Sequence, residues 1–270
     1  MTKIQYASDL HLDYFAPTLD YDEFLTPSAP ILVLAGDIAS VWSQTYSNFL
    51  CWCSWNWEHV ILIAGNHEYH CKSFEKHTRK STDQEIRKIA RSFNNIHFLQ
   101  MGESFHLPNS DIVFIGTTLY SDIDPIIYEE ITTKYDFKTT FVETKNQDIA
   151  IRNTTPADFV KFHKRHRQAI SDAIRSIPRG FKVIVITHYL PTERLLEDEY
   201  QHDRLKSCYA TKMDTSIRKP TTVWICGHSH RSTQLLTLNN ILLAMNARGN
   251  KQYELNRDVD IYNKRAVITL

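Results

Sequence analysis

The sequence predicts an α/β protein built on a parallel sheet, and three observations lead to that class. Residues 4–7, 31–35 and 60–64 are short, continuous apolar runs rich in β-branched side chains, the pattern of parallel strands covered on both faces. Each run ends in a polar turn: Ser8-Asp9, Gly36-Asp37 and Gly65-Asn66. Apolar residues at helical spacing separate and follow the runs, so the first hundred residues read as strand, loop and helix in succession.

The elements follow in order. Trp42, Tyr46, Phe49, Leu50, Cys53 and Trp57 recur at helical spacing and predict a helix covering the sheet, in preference to an aromatic ligand box. Ser81-Thr82-Asp83-Gln84 has the form of a capping box, with Ile86, Ile89, Ala90 and Phe93 making one helical face behind it. Residues 112–116 supply another strand. Residues 121–155 are polar, irregular and long for a plain connection; they are expected to form an inserted cap over the site. At Thr155-Pro156-Ala157-Asp158 a capping threonine, a proline at the first helical position and an acid open an amphipathic helix. It runs through Phe159, Phe162, Ala169, Ile170, Ala173 and Ile177 and stops at Pro178 and Gly180. Further strands are expected at 183–187, 222–226, 233–238, 241–245 and 266–270, with Asn239-Asn240 as a hairpin turn. No repeat or linker interrupts the 270 residues, so one domain over 1–270 is expected.

Composition narrows the function. Thirty-one basic residues balance 31 acidic ones, with a pI near 7.2. That leaves no global basic footprint for gripping a nucleic-acid backbone or an anionic membrane, so nucleic acid is not a favoured partner. The five cysteines are odd in number and lack a C-x-x-C pair, which suits reduced thiols inside a cell. No apolar stretch nears the ~20 residues of a membrane span, and the start leads directly into a strand pattern. An intracellular, cytoplasmic protein with no membrane partner is expected.

Metal-ligating side chains follow the strand runs: Asp9, His11, Asp37, Asn66, His188, His228 and His230. A parallel sheet would bring them to one edge, as a two-metal site requires. Singly, most are weak signals, because Asp after a strand commonly caps or turns the chain. Gly65-Asn66-His67-Glu68 is more specific, and Gly227-His228-Ser229-His230 most specific, since paired imidazoles beyond a buried strand have few structural uses. Imidazole with carboxylate and amide oxygen, without thiolate, suits two divalent ions from Mn, Fe, Co, Ni and Zn better than Mg or Ca.

Taken in order, Asp9-Leu10-His11, Gly36-Asp37, Gly65-Asn66-His67-Glu68, His188 after a strand, and Gly227-His228-Ser229-His230 resemble the calcineurin-like metallophosphoesterase superfamily. The chain is most similar to its small single-domain members, through Gly116-Thr117-Thr118-Leu119-Tyr120, Thr155-Pro156-Ala157-Asp158 and Asn246-Ala247-Arg248-Gly249 as well. The resemblance implies a four-layer α/β/β/α sandwich with two central mixed β-sheets. It implies that Asp9, His11 and His230 hold one metal and Asn66, His188 and His228 the other. Asp37 would bridge the two, and a bridging hydroxide would attack phosphorus. His67 would be the catalytic acid that contacts phosphate and protonates the leaving oxygen, with Glu68 orienting a neighbouring histidine.

Arg248, in a loop expected to return to the ligand edge, is a candidate substrate-binding residue. So is His166, between Phe162 and Ile170 at i and i+4 spacing, a position that suits a core histidine equally well. His59, His70, His77, His97, His106 and His202 are expected to be surface or packing residues. The resulting expectation is a metal-dependent phosphoric ester hydrolase for a small phosphoester, leaning to phosphodiesterase activity on nucleotide-like compounds. Phosphatase and nuclease activities share the same core, and the neutral charge weighs against the nuclease. A catalytically inactive scaffold should lack some ligands, and none is missing here.

Overall fold

The computed structural model describes residues 1–15, 19–71, 77–144, 150–236, 240–249 and 262–270. In chain order the strands are β1 (Lys3–Ala7), β2 (Ile31–Leu34), β3 (His59–Leu62), β4 (Ile96–Phe98), β5 (Glu103–His106), β6 (Ile112–Thr117), β7 (Phe141–Glu143), β8 (Ile151–Asn153), β9 (Lys182–Thr187), β10 (Thr221–Cys226), β11 (Ser232–Leu236), β12 (Leu242–Asn246) and β13 (Val267–Thr269). The helices are α1 (Gln44–Asn56), α2 (Arg79–Ala90), α3 (Tyr128–Ile131), α4 (Tyr135–Thr139), α5 (Pro156–Ser176) and α6 (Asp198–Gln201).

A five-stranded sheet runs β13-β1-β2-β3-β4 and a six-stranded sheet runs β11-β12-β10-β9-β6-β5. Both have parallel centres. Antiparallel β13, β11 and β5 make them mixed at the edges. Strand alternation sets the layering. Ile31 and Val33 join Ile4, Tyr6 and Ile61 of their own sheet and Ile112, Phe114, Ile184 and Ile186 of the other in one buried cluster. Leu32 and Leu34 belong instead to the cluster that contains Tyr46, Phe49 and Leu50 of α1. On the second sheet Val113, Ile115, Val183 and Val185 share that outer cluster with Phe159 and Ile170 of α5. The result is the α/β/β/α sandwich with two central mixed sheets that the resemblance implied.

Helix starts follow from caps. Ser43 Oγ accepts the Tyr46 N–H at 3.3 Å to open α1. At α5, Thr155 Oγ1 accepts the Asp158 N–H at 3.3 Å while Asp158 Oδ2 accepts the Thr155 N–H at 2.9 Å, a reciprocal capping box with Pro156 in the first turn. The expected box at Ser81 is displaced. Thr78 Oγ1 accepts the Ser81 N–H at 3.2 Å, so α2 begins at Arg79 and Ser81 lies inside its first turn. β4 and β5 escaped the sequence reading because they are short, and β5 is a polar edge strand.

The polar stretch 121–155 is less irregular than its composition suggests, holding α3, α4 and the ribbon β7–β8. Ile123, Ile127, Ile131 and Phe137 anchor it in the main apolar core. The expected Asn239-Asn240 turn and the end of the expected strand 233–238 fall partly outside the described residues. Among the described residues no helix is long and apolar enough to cross a membrane.

Candidate metal centre

Parallel strands end at a common edge, and here the two sheets end against each other. β1 leads to Asp9 and His11, β2 to Asp37, β3 to Asn66 and His67, β9 to His188, and β10 to His228 and His230. Hydrogen bonds stitch the two edges together. The His228 backbone N–H donates to the Asp9 carboxylate at 3.0 Å, and the Gly249 N–H to the Asp9 carbonyl at 3.0 Å. His188 Nδ1 lies 2.8 Å from the Ala35 carbonyl. That carbonyl can only accept, so Nδ1 carries the proton and Nε2 is left to face the site.

Three overlapping groups of ligand atoms result: Asp9, His11 and His230; His11, Asp37 and His67; Asp9, Asp37 and His188, each group within 4.8 Å. Asp37 is central. Its Oδ2 lies 3.3 Å from His188 Nε2 and 3.9 Å from His11 Nε2 and from His67 Nε2. Asn66 Oδ1 lies 3.0 Å from His188 Nε2. The His228 ring stands 5.2 Å from that of His188, and its Nε2 is buried without a hydrogen-bond partner among the described residues.

The backbone is strained where these groups sit. Asp9, His11, Asp37, His228 and His230 have φ of 54°, 47°, 57°, 72° and 55°, left-handed conformations that cost on the order of 1–3 kcal/mol each and gather at functional sites. The space is built for a close approach. A Cβ on Gly65 would overlap the Asp37 carboxylate, and one on Gly36 would lie 2.8 Å from His188 Nδ1.

Burial opposes ionisation of the Asp37 carboxylate, yet His188, then His67 and His11, hold its pKa well below the ordinary range. His188 shows the reciprocal effect: burial disfavours its cation, the Asp37 carboxylate favours it, and the pKa rises. Burial lowers the pKa of His11 and His67 despite Asp37, and brings His228 down to about 4. Two buried carboxylates among converging imidazoles, one with an orphaned nitrogen, fit divalent cations by donor type, and a bound cation would take the place of the His188 proton beside Asp37.

The model of the calcineurin-like phosphoesterase family matches residues 2–232. The chain belongs to this family. It is accordingly a metal-dependent phosphoester hydrolase, with the clustered His and Asp side chains as its candidate metal centre.

Among solved structures, this calcineurin-like phosphoesterase is similar to the phosphopantetheinyl hydrolase PptH of Mycobacterium tuberculosis, at 15% identity and TM-score 0.67 over 95% of this chain and 93% of that one. It is also similar to a dimetal phosphatase from Danio rerio, at 13% identity and TM-score 0.50 over 90% of this chain and 86% of that one. At such identities the likeness shows the fold. No curated protein matches the chain.

The remaining sequence candidates take different places. His166 is 2% exposed, and its Nδ1 accepts from the Leu119 N–H at 3.1 Å and lies 2.6 Å from Thr117 Oγ1. It sits as a core histidine joining α5 to β6, one of the two places its spacing allowed. The Arg248 guanidinium lies 4.6 Å from the centres of both the Phe15 and Phe24 rings. Its backbone, through the Arg248 N–H to the Ser8 carbonyl, ties the loop to the ligand edge as expected.

Among the described residues, the partners of Glu68 are backbone donors and not a histidine ring. Its carboxylate accepts the backbone N–H groups of Ile38 at 2.7 Å, Gly65 at 2.8 Å and Asp37 at 2.9 Å. Burial and the nearby Asp37 charge push its pKa up to about 8 against those donors. The sequence reading missed His70 and Asp136. Asp136 of α4 lies 2.7 Å from buried His70 Nε2 and accepts the Asn66 Nδ2 proton at 2.9 Å, which turns Asn66 Oδ1 towards His188. Burial opposes its carboxylate, but the His70 hydrogen bond lowers its pKa. The Tyr135-Asp136-Phe137 triplet inside the inserted segment was the only sequence signal for it.

Proposed function

We propose that the chain hydrolyses a P–O ester of a small, nucleotide-like phosphodiester at a dinuclear centre. Asp9, His11 and His230 hold one divalent ion, Asn66, His188 and His228 the other, and Asp37 is shared. The observation that carries this reading is the place of Asp37 between the two ligand sets, with its Oδ2 3.3 Å from His188 Nε2 of one and 3.9 Å from His11 Nε2 of the other. Ions of the Mn, Fe, Co, Ni or Zn type, when bound, supply neutralisation of the phosphoryl oxygens and an acidified water as nucleophile. Holding both is the work of the ligand loops, which Glu68 pins through three backbone donors.

His67 has a different role. It stands at the rim of the cluster, with its side chain 27% exposed and its ring 4.5 Å from that of His11. Its backbone N–H donates to Asp37 Oδ1 at 2.8 Å, which fixes its position relative to the shared carboxylate. Burial leaves the imidazole neutral in the free protein, so it takes up its proton as the phosphate anion docks beside it. It then contacts the phosphate and delivers that proton to the departing oxygen, a step that matters most for the alkoxide of an ordinary diester. That none of the five cysteines is in a disulfide supports a reducing, intracellular setting.

The test is a panel of chromogenic and alkyl monoesters and diesters, assayed with Mn, Fe, Co, Ni, Zn and Mg added separately. Faster turnover of diesters than of matched monoesters with Mn to Zn is expected. Preference for monoesters would make the chain a phosphatase on the same centre, and no turnover with any ion would reject the reading.

A further inference from the structure

On the side of His228 and Asp136, a cavity of about 210 Å³ opens beside the centre. Ile131, Lys134 and Phe137 of the 121–155 segment line it together with Tyr189, Leu205 and Tyr209, and Phe159 of α5 contributes. The change of chemistry over this short distance is abrupt. The ligand cluster consists of carboxylates and imidazoles, whereas Phe137, Phe159, Tyr189 and Tyr209 bring four further rings to the cavity lining. Tyr189 lies against His228 with centroids 4.0 Å apart, Tyr209 stands 5.9 Å from His228, and Phe137 packs on Phe159 at 4.8 Å. Burial pushes the Cys208 thiol up to about 12, so this part of the lining is neutral.

Lys134 and Asp136 are the charged members of this lining. A phosphoryl group gains nothing from the apolar members, because it is anionic and strongly hydrated. The organic half of its ester does gain, in proportion to the apolar surface it buries. Size narrows the class. Pockets that enclose a whole drug-sized ligand run to roughly 300–1,000 Å³, so a cavity of about 210 Å³ takes one ring or a short chain. Four phenyl and phenol rings in the lining select the ring, which adds offset and edge-on packing to simple burial.

We propose that this cavity is the substrate-selecting pocket and that it takes a planar aromatic group, a nucleobase or an aryl ring, carried by the phosphoester held at the metal centre. The proposal rests on the phosphoesterase reading above and adds the organic half of the substrate. It also explains what the inserted segment contributes, since Ile131 and Phe137 bring selectivity to a centre whose ligands all come from strand ends.

The test separates binding from turnover on the manganese-loaded protein. Benzyl-, cyclohexylmethyl- and ethylphosphonate, whose P–C bonds resist hydrolysis, are compared by titration calorimetry. Benzylphosphonate should bind at least about tenfold more tightly than ethylphosphonate, with the cyclohexylmethyl compound between them. The kcat/KM values of benzyl methyl and ethyl methyl phosphate should differ in the same sense, although both lose alkoxides. Including methyl esters of uridine and adenosine 5′-phosphate distinguishes a nucleobase from a simple aryl ring.

Ile131→Trp and Leu205→Trp each narrow the cavity, and each should bring the benzyl-to-ethyl ratio close to one. Equal affinity for the three phosphonates in the unmodified protein overturns the pocket. So does a benzyl preference that survives in either variant while its circular dichroism is unchanged. If benzylphosphonate binds selectively but no ester is turned over, the pocket stands and the phosphoesterase reading fails.

Discussion

His11 and His230 point their Nε2 atoms at each other across 3.2 Å, although 219 residues separate them. Asp9 Oδ1 lies 3.5 Å from the same His230 nitrogen. Convergence of this kind strains both backbones, since each histidine has a left-handed φ. Under the proposed assignment, a cation between a carboxylate and two imidazole lone pairs would give that strain a purpose.

Removing one imidazole from each ligand set tests the assignment. His230→Ala and His228→Ala should each lower bound metal to about one ion per chain or less and remove most activity. Metal content by plasma mass spectrometry, alongside turnover, checks this. Two ions per chain with near-normal turnover in both variants would show that the centre lies elsewhere.

His67→Ala should keep both ions and lose turnover by roughly 10²- to 10⁴-fold, the usual contribution of a general acid. The loss should shrink for nitrophenyl esters, whose leaving groups need little protonation. An equal loss for good and poor leaving groups would assign His67 to phosphate binding alone.

Glu68→Gln exchanges one acceptor oxygen for an amide donor among three backbone N–H groups. Leaving buried donors unsatisfied costs about 1–3 kcal/mol, and because those donors hold the Asp37 and Gly65 loops, metal affinity should fall with stability. Urea unfolding and metal titration measure the two. Unchanged values in both would mean that the loops hold their shape without this clamp.

Gly65→Ala should abolish metal binding, because the added Cβ overlaps the Asp37 carboxylate while the strand ends on either side are buried and unable to retreat. A variant that folds and still binds two ions would show the loop to be more pliant than its packing indicates.

Asp158→Asn weakens the capping box that opens α5. It should cost about 0.5–2 kcal/mol at neutral pH, as lost caps do. The Asp158 pKa is depressed in the fold: burial opposes its charge, but the hydrogen bonds from Arg152 and Thr155 outweigh it. Its stabilisation is therefore present above the unfolded pKa and is lost as pH falls through the lower folded value. The gap between the two proteins should close below about pH 4. A gap that stays constant down to about pH 2 in thermal melts would rule out the charge as its source.

The α/β class, the parallel sheet centres, the capping box at Thr155 and the strand-end position of every candidate ligand were legible in the chain itself. Each depends on neighbours close in sequence: β-branched runs extend, Thr155 bonds three residues ahead, and a polar residue after a buried strand must leave the sheet. Whether a histidine faces a metal or a core depends on how the layers pack, and no local pattern contains that. His166 and His230 are equally good ligands as residues. The packing of α5 on β6 gives one to Thr117 and Leu119, and the meeting of two sheet edges gives the other to His11 and Asp9. The same reason hid Asp136 and His70. Asp136 reaches Asn66 only because Ile131 and Phe137, apolar residues scattered through a polar stretch, anchor the inserted segment in the core and bring its carboxylate within hydrogen-bond distance of a loop 70 residues earlier.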